Sequence, residues 1–127
     1  MAEEGKDRIS VLIADDHPVV RQGLRAFLQL QEDLDVVGEA GDGLEAVGQV
    51  ERLRPDVILL DLVMPRMDGA ELVRELQRRG LRPGISILIC STGDLVLEAA
   101  RLGADGYVEK PFALPSLLRE VARLAVV

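Results

Sequence analysis

The chain has 127 residues, 48% of them apolar and 29% charged, with a formal net charge of −7. That length suits one domain with a core of its own, and the acidic balance argues against binding nucleic acid or anionic lipid through the domain's own surface. Aromatic residues are only 2% of the chain, so the core must be built from Leu, Val, Ile and Ala.

Taken in order, Met1 to Arg8 is short and polar and lacks the apolar stretch of a secretory signal. Ile9 to Ala14 reads as a buried strand ending in Asp15-Asp16. His17-Pro18 makes a turn, and Val20, Leu24, Phe27 and Leu28 mark one face of a helix running to about Gln31. Asp35 to Ala40 is a second strand. Asp42 with Glu45 forms a capping box for a helix through about Arg52. Val57 to Leu60 is an uninterrupted apolar run, as expected of a strand buried on both faces, and Asp61 follows at once. Pro65 enforces a loop, and Asp68 with Glu71 caps a third helix that stops at Gly80. Ile85 to Cys90 is a fourth strand, ending in Ser91-Thr92. The lone cysteine, Cys90, cannot pair within the chain and reads as a buried, reduced thiol of a cytoplasmic protein. Asp94 to Leu102 is a short helix capped by Asp94 and closed by Gly103, and Gly106 to Glu109 is a fifth strand ended by Lys110-Pro111. Leu114, Leu117, Val121 and Leu124 stripe a last helix. No apolar run approaches the length of a membrane span.

Strands alternating with helices imply an α/β fold, a single five-stranded parallel sheet flanked by helices on both faces. Right-handed crossovers leave two common strand orders, and the flavodoxin-like order 2-1-3-4-5 suits five strands better. It sets the ends of the first and third strands side by side, so that Asp15, Asp16 and Asp61 share a pocket. Converging carboxylates call for a cation, and an all-oxygen donor set suits a hard ion such as Mg²⁺. Lys110 adds a positive point charge and Ser91 a hydroxyl, which together make the equipment for holding a phosphoryl group.

These residues carry a resemblance. Asp15-Asp16 after an apolar strand, the run Asp61-Leu62-Val63-Met64-Pro65-Arg66-Met67-Asp68-Gly69, Ser91, and Gly103 through Lys110-Pro111-Phe112 resemble the receiver domain of two-component response regulators. Asp15-Asp16-His17-Pro18-Val19-Val20-Arg21 and Val36-Val37-Gly38-Glu39-Ala40 resemble its NarL/FixJ subclass. The resemblance covers nearly the whole chain, and implies one receiver domain over residues 1–127 with an ordered core at 8–125. It implies that Asp61 accepts a phosphoryl group from a sensor histidine kinase or phosphotransfer protein. Asp16, Asp61 and the Val63 backbone carbonyl would bind Mg²⁺ directly, and Asp15 through water. Ser91 and Lys110 would contact the phosphoryl oxygens, with Ser91 and Tyr107 as switch residues. A downstream protein would be met through the face of the fourth helix, fifth strand and fifth helix, with a homodimer as a further possibility. The Lys110-Pro111 bond would be cis. The chain would catalyse only its own phosphorylation and dephosphorylation.

Other readings fit the residues less well. A haloacid-dehalogenase-like phosphatase resembles Asp-x-Asp at its nucleophile, whereas Val63 stands at the second acid's place here. A flavin- or nucleotide-binding module needs a glycine- or hydroxyl-rich first loop. A degenerate receiver serving only as an interaction module conflicts with the complete acid set, Ser91 and Lys110. The receiver half of a DNA-binding regulator remains a second reading. His17, beside the acid pair, has the chemistry of a phospho-acceptor or metal ligand, but a lone histidine reads first as a turn or helix-start residue; Met64 and Met67 read as packing for the loop after Asp61. Compared with the family pattern the segment between Ser91 and Lys110 is about one helical turn short, and Gly93 is the expected hinge there.

Overall fold

The computed structural model describes residues 8–125; the stretch before Arg8, read above as no secretory signal, lies outside them. The chain runs β1 (Ile9–Ala14), α1 (Pro18–Gln29), β2 (Leu34–Ala40), α2 (Gly43–Leu53), β3 (Val57–Leu60), α3 (Gly69–Arg78), β4 (Ser86–Ser91), α4 (Val96–Arg101), β5 (Gly106–Glu109) and α5 (Leu114–Ala125). All strand pairs are parallel, in the order β2-β1-β3-β4-β5. This is the expected doubly wound α/β sheet.

Side chains alternate across each strand, so one run of apolar residues feeds two cores. Val11 and Ile13 of β1 and Val57 and Leu59 of β3 pack with Leu24 and Leu28 of α1 and Leu117 and Val121 of α5. Leu12 and Ala14, with Ile58 and Leu60, face the other way, onto Val47 and Val50 of α2 and Leu72, Val73 and Leu76 of α3. The helices are thus split, α1 and α5 on one face and α2, α3 and α4 on the other. Leu60 and Leu88 are wholly buried, and truncating either to Ala would remove about 2–5 kcal/mol. Cys90 points into the α1/α5 side, where burial pushes its thiol up to about 12.

Local signals held in most places. Pro18 occupies the first turn of α1, Asp68 and Glu71 make a reciprocal capping box, and Gly80 and Gly103 take the left-handed backbone that ends α3 and α4. Two differ. Asp42 caps α2 by accepting from Glu45 N at 2.9 Å, but the Glu45 side chain reaches Gly41 N at 2.7 Å instead of the Asp42 amide, so the box is not closed. Asp94 does not cap α4: a 3-10 turn spans Gly93–Leu95 with Thr92 before it, and Asp94 lies inside that turn, accepting from the Thr92 hydroxyl. With so little chain after Ser91, the backbone tightens into i to i+3 bonding before it can open into the six-residue α4. Gly93 also has no left-handed backbone; only Gly80, Gly84 and Gly103 do among the described glycines.

Candidate functional site

The site is built where strands end. Asp15 N donates to Ala40 O at 3.0 Å, Asp61 N to Ala14 O at 2.9 Å, and Lys110 N to Ser91 O at 2.8 Å. Each bond carries the ladder past the strand end, so these side chains leave a rigid sheet. The Lys110-Pro111 peptide is cis, as expected.

Asp15, Asp61 and Ser91 are only 3%, 5% and 2% exposed. Lys110 Nζ donates to Asp15 Oδ2 at 2.8 Å and to Asp61 Oδ2 at 3.2 Å. Asp61 Oδ1 accepts from the Ser91 hydroxyl and from Val63 N, each at 3.0 Å, while Ser91 Oγ accepts from Leu62 N at 3.0 Å. Burial raises the Asp15 carboxyl, but hydrogen bonds from Lys110 and His17 outweigh it and hold the group below the usual carboxylate range. Lys110 mirrors this: burial works against its charge, and Asp15 and Asp61 hold it above the ordinary lysine value.

The cation balance is incomplete. Oxygens of Asp15, Asp16 and Asp61, with a nitrogen of His17, all lie within 4.8 Å of one another. At such a spacing each pair of ionised carboxylates repels by about 3 kcal/mol at an effective dielectric of about 20. Asp16 Oδ1 is buried and has no hydrogen-bond partner. Three carboxylates, one of them with an unsatisfied oxygen, fit a hard divalent ion.

A cavity of about 160 Å³ opens above the acids, lined by His17, Asp61, Val63, Ser91, Thr92, Leu95 and Lys110. Val63, whose carbonyl the family resemblance implies as a ligand, lies in the loop at its rim with 65% of its surface exposed. Tyr107 stands one strand away, its hydroxyl donating to the carbonyl oxygens of Ser91, at 3.1 Å, and Thr92. All the expected side chains are therefore brought to one end of the sheet or bonded to the loop beside it.

Three contributions were not legible in the sequence. Arg21 on α1 donates to the Asp15 carbonyl at 2.5 Å and to Glu39 at 3.3 Å, bracing the acid pair from behind. Arg66 takes a left-handed backbone, φ 65°, and its guanidinium pairs with Asp42 at the start of α2. The Asp42 carboxyl is held low by the Glu45 amide and by Arg66. His17, read as a turn residue, has its ring over the acids, with Nδ1 2.8 Å from Asp15 Oδ1. Arg21 and Arg66 find their partners only across tertiary contacts, and for His17, which neighbours the acids in the chain, only the fold shows where the ring points.

Comparison with known proteins agrees with this architecture. The response regulator receiver domain family matches residues 11–122. An uncharacterized transcriptional regulatory protein of Bacillus subtilis, YxjL, is 41% identical over 123 residues, covering 94% of this chain and 55% of that protein. The Escherichia coli transcriptional regulatory protein BtsR is 40% identical over 116 residues, 91% of this chain and 48% of its own length. The chain thus spans about half the length of these relatives. Among solved structures, the signal receiver domain of a NarL regulator from Mycobacterium tuberculosis aligns with a TM-score of 0.84 at 33% identity, covering 94% of this chain and 97% of that one. The response regulator domain of Thermotoga maritima CheB aligns with a TM-score of 0.83 at 32% identity, covering 94% and 98%. With a family match across nearly the whole described chain, and the same sheet in its relatives, this chain belongs to the response regulator receiver domains.

Proposed function

We propose that the chain takes a phosphoryl group onto Asp61 from a phosphohistidine of a sensor histidine kinase or phosphotransfer protein. The observation that carries this reading is Asp61 itself: a nearly buried carboxylate on a rigid strand end, held by Lys110 and Ser91, beneath an open cavity. A carboxylate oxygen attacks phosphorus in line, the P–N bond breaks, and the electron pair leaves with the donor imidazole, which takes a proton. Lys110 is already charged and within reach of the charge that develops. Ser91 donates to Asp61 Oδ1 before the reaction and turns that donation to a phosphoryl oxygen after it. Asp16, Asp61 and the Val63 carbonyl would hold Mg²⁺ directly and Asp15 through water. The ion, when bound, supplies charge neutralisation for the phosphoryl oxygens. The chain has no other substrate in this reading and catalyses only its own phosphorylation and dephosphorylation.

The output follows from connectivity. Tyr107 is bonded to the carbonyls of Ser91 and Thr92, so a displacement of Ser91 toward the phosphoryl group reaches Tyr107 directly. The face of α4, β5 and α5 would then meet a downstream protein or a second copy. The curated relatives, named as transcriptional regulatory proteins, are about twice as long as this chain, and in a protein of that length the partner would be the part of the same chain beyond the receiver. No helix among the described residues is long and apolar enough to cross a membrane.

Incubation with acetyl phosphate and Mg²⁺ tests the reading. Mass spectrometry should show one added phosphoryl group, absent in Asp61→Ala and absent when a chelator is present. Modification that persists in Asp61→Ala overturns the assignment.

A further inference from the structure

We infer that His17 is an additional ligand of the cation site and shifts its preference from Mg²⁺ toward ions that accept nitrogen, such as Mn²⁺. This rests on the cation site proposed above and adds to it a residue of this chain.

The ring faces all three carboxylates. His17 Nδ1 lies 2.8 Å from Asp15 Oδ1, 3.1 Å from Asp16 Oδ1 and 4.0 Å from Asp61 Oδ2. Around one ion with bonds of about 2.1 Å, adjacent octahedral ligands are about 3.0 Å apart and opposite ones about 4.2 Å. The 3.1 Å and 4.0 Å distances, to the two carboxylates that would touch the ion, match an adjacent ligand and one across it, while the 2.8 Å contact is the hydrogen bond to Asp15. A hydrogen bond to Asp15 alone would explain the first distance but not the other two, nor why the nearby Asp16 Oδ1 is left without a hydrogen-bond partner.

The ring's side-chain hydrogen bond, from Nδ1 to Asp15 Oδ1 at 2.8 Å, lies within the acid cluster, and an ion bound there replaces its proton. His17 holds the N-cap position of α1, yet its side chain makes no capping bond. Its contribution to the acid loop's backbone, the bond from His17 N to Asp15 Oδ1 at 2.9 Å, does not involve the imidazole. Pro18, next in the chain, restricts the backbone at His17 and so helps to hold the ring's starting point. The site therefore offers oxygen from Asp16 and Asp61 directly and from Asp15 through water, together with one imidazole nitrogen. Mg²⁺ favours an all-oxygen shell and retains waters, so the nitrogen adds little for it. Mn²⁺ accepts oxygen and imidazole together, and the ions later in the divalent series accept imidazole more strongly still.

The chain has one histidine, which makes the test unambiguous. The full chain is titrated with MnCl₂ and, separately, MgCl₂, and the Mn²⁺ form is examined by pulsed electron paramagnetic resonance. Nitrogen modulation is expected, and it should change to the ¹⁵N pattern when the histidine is ¹⁵N-labelled. His17→Ala should abolish the modulation and weaken Mn²⁺ by about tenfold, while Mg²⁺ affinity changes less than about twofold. The label experiment needs no variant, so a fold defect in His17→Ala cannot mimic the result. Bound Mn²⁺ without histidine coupling, or an equal loss for both ions in His17→Ala, overturns the inference and leaves the cation site standing. Failure of the unaltered chain to bind either ion overturns the site itself, and the inference with it.

Discussion

Charge and burial at single residues explain why this end of the sheet can carry chemistry. Asp61 is nearly dry, yet its oxygens meet one ammonium, one hydroxyl and one amide. The phosphorylated state should be long-lived for a reason visible one turn of the loop away. Water attacking the phospho-aspartate is assisted when a polar side chain orients it, and the rim position is taken by Val63, which offers none. Val63→Asn should shorten the half-life of the phosphorylated protein several-fold, followed as loss of the phosphoryl group by intact-mass measurement after removal of the donor. An unchanged decay rate would show that water orientation at this rim is not what limits hydrolysis. The residue that resisted sequence reading was His17: it stands beside Asp15 and Asp16 in the chain, but a lone histidine is more often a turn residue, and only the fold brings Asp61, at the end of neighbouring β3, to its ring.

At the scale of elements, the loop after β3 is held from two sides. Gly69 N donates to Leu62 O at 2.9 Å, and Gly43 N to Met67 O at 3.0 Å. A Cβ on Gly69 would lie 2.7 Å from Leu62 Cα and 2.8 Å from Asp61 O, both backbone atoms that cannot move without the site. At Gly93 the nearest obstacle is Glu109 Oε2, 2.3 Å from an added Cβ, the far end of a flexible side chain. The two glycines should therefore answer differently. Gly69→Ala should lower stability by about 2 kcal/mol and impair phosphate uptake, whereas Gly93→Ala should change stability by less than about 0.5 kcal/mol. Urea denaturation of the two variants checks this, and a strongly destabilised Gly93→Ala would mean that the loop after β4 is stiffer than its contacts imply. The sequence marked Gly93 as a hinge because glycine can take backbone angles that other residues cannot. In this structure its backbone is ordinary, and the glycine leaves room for the Glu109 carboxylate.

For the molecule as a whole, the site and the proposed output face are linked through one short path, Asp61 to Ser91 to Tyr107. The 3-10 turn and the six-residue α4 leave little chain to absorb a displacement of Ser91. Tyr107→Ala should keep phosphate uptake at Asp61 while weakening phosphorylation-dependent self-association or partner binding, read by sedimentation with and without acetyl phosphate. Amide exchange under the same conditions should change between Gly93 and Phe112. Changes confined to α1 and α2 would rule out this route.

The sequence by itself determined the fold class and most of the site. Strand positions, helix stripes and the acids at strand ends are local patterns, governed by side-chain period and capping chemistry, so Asp15, Asp16, Asp61, Ser91 and Lys110 could be named before any contact was known. Strand order then followed from a small set of allowed topologies. Only the tertiary structure decided which groups brace and complete the site. Arg21 reaches Asp15 from a helix face, Arg66 reaches Asp42 across 24 residues in a backbone conformation its side chain does not favour, and His17 turns its ring onto three carboxylates. Such pairings depend on side-chain direction and on where loops are pinned, which are properties of the packed molecule even where, as at His17, two of the partners are neighbours in the chain.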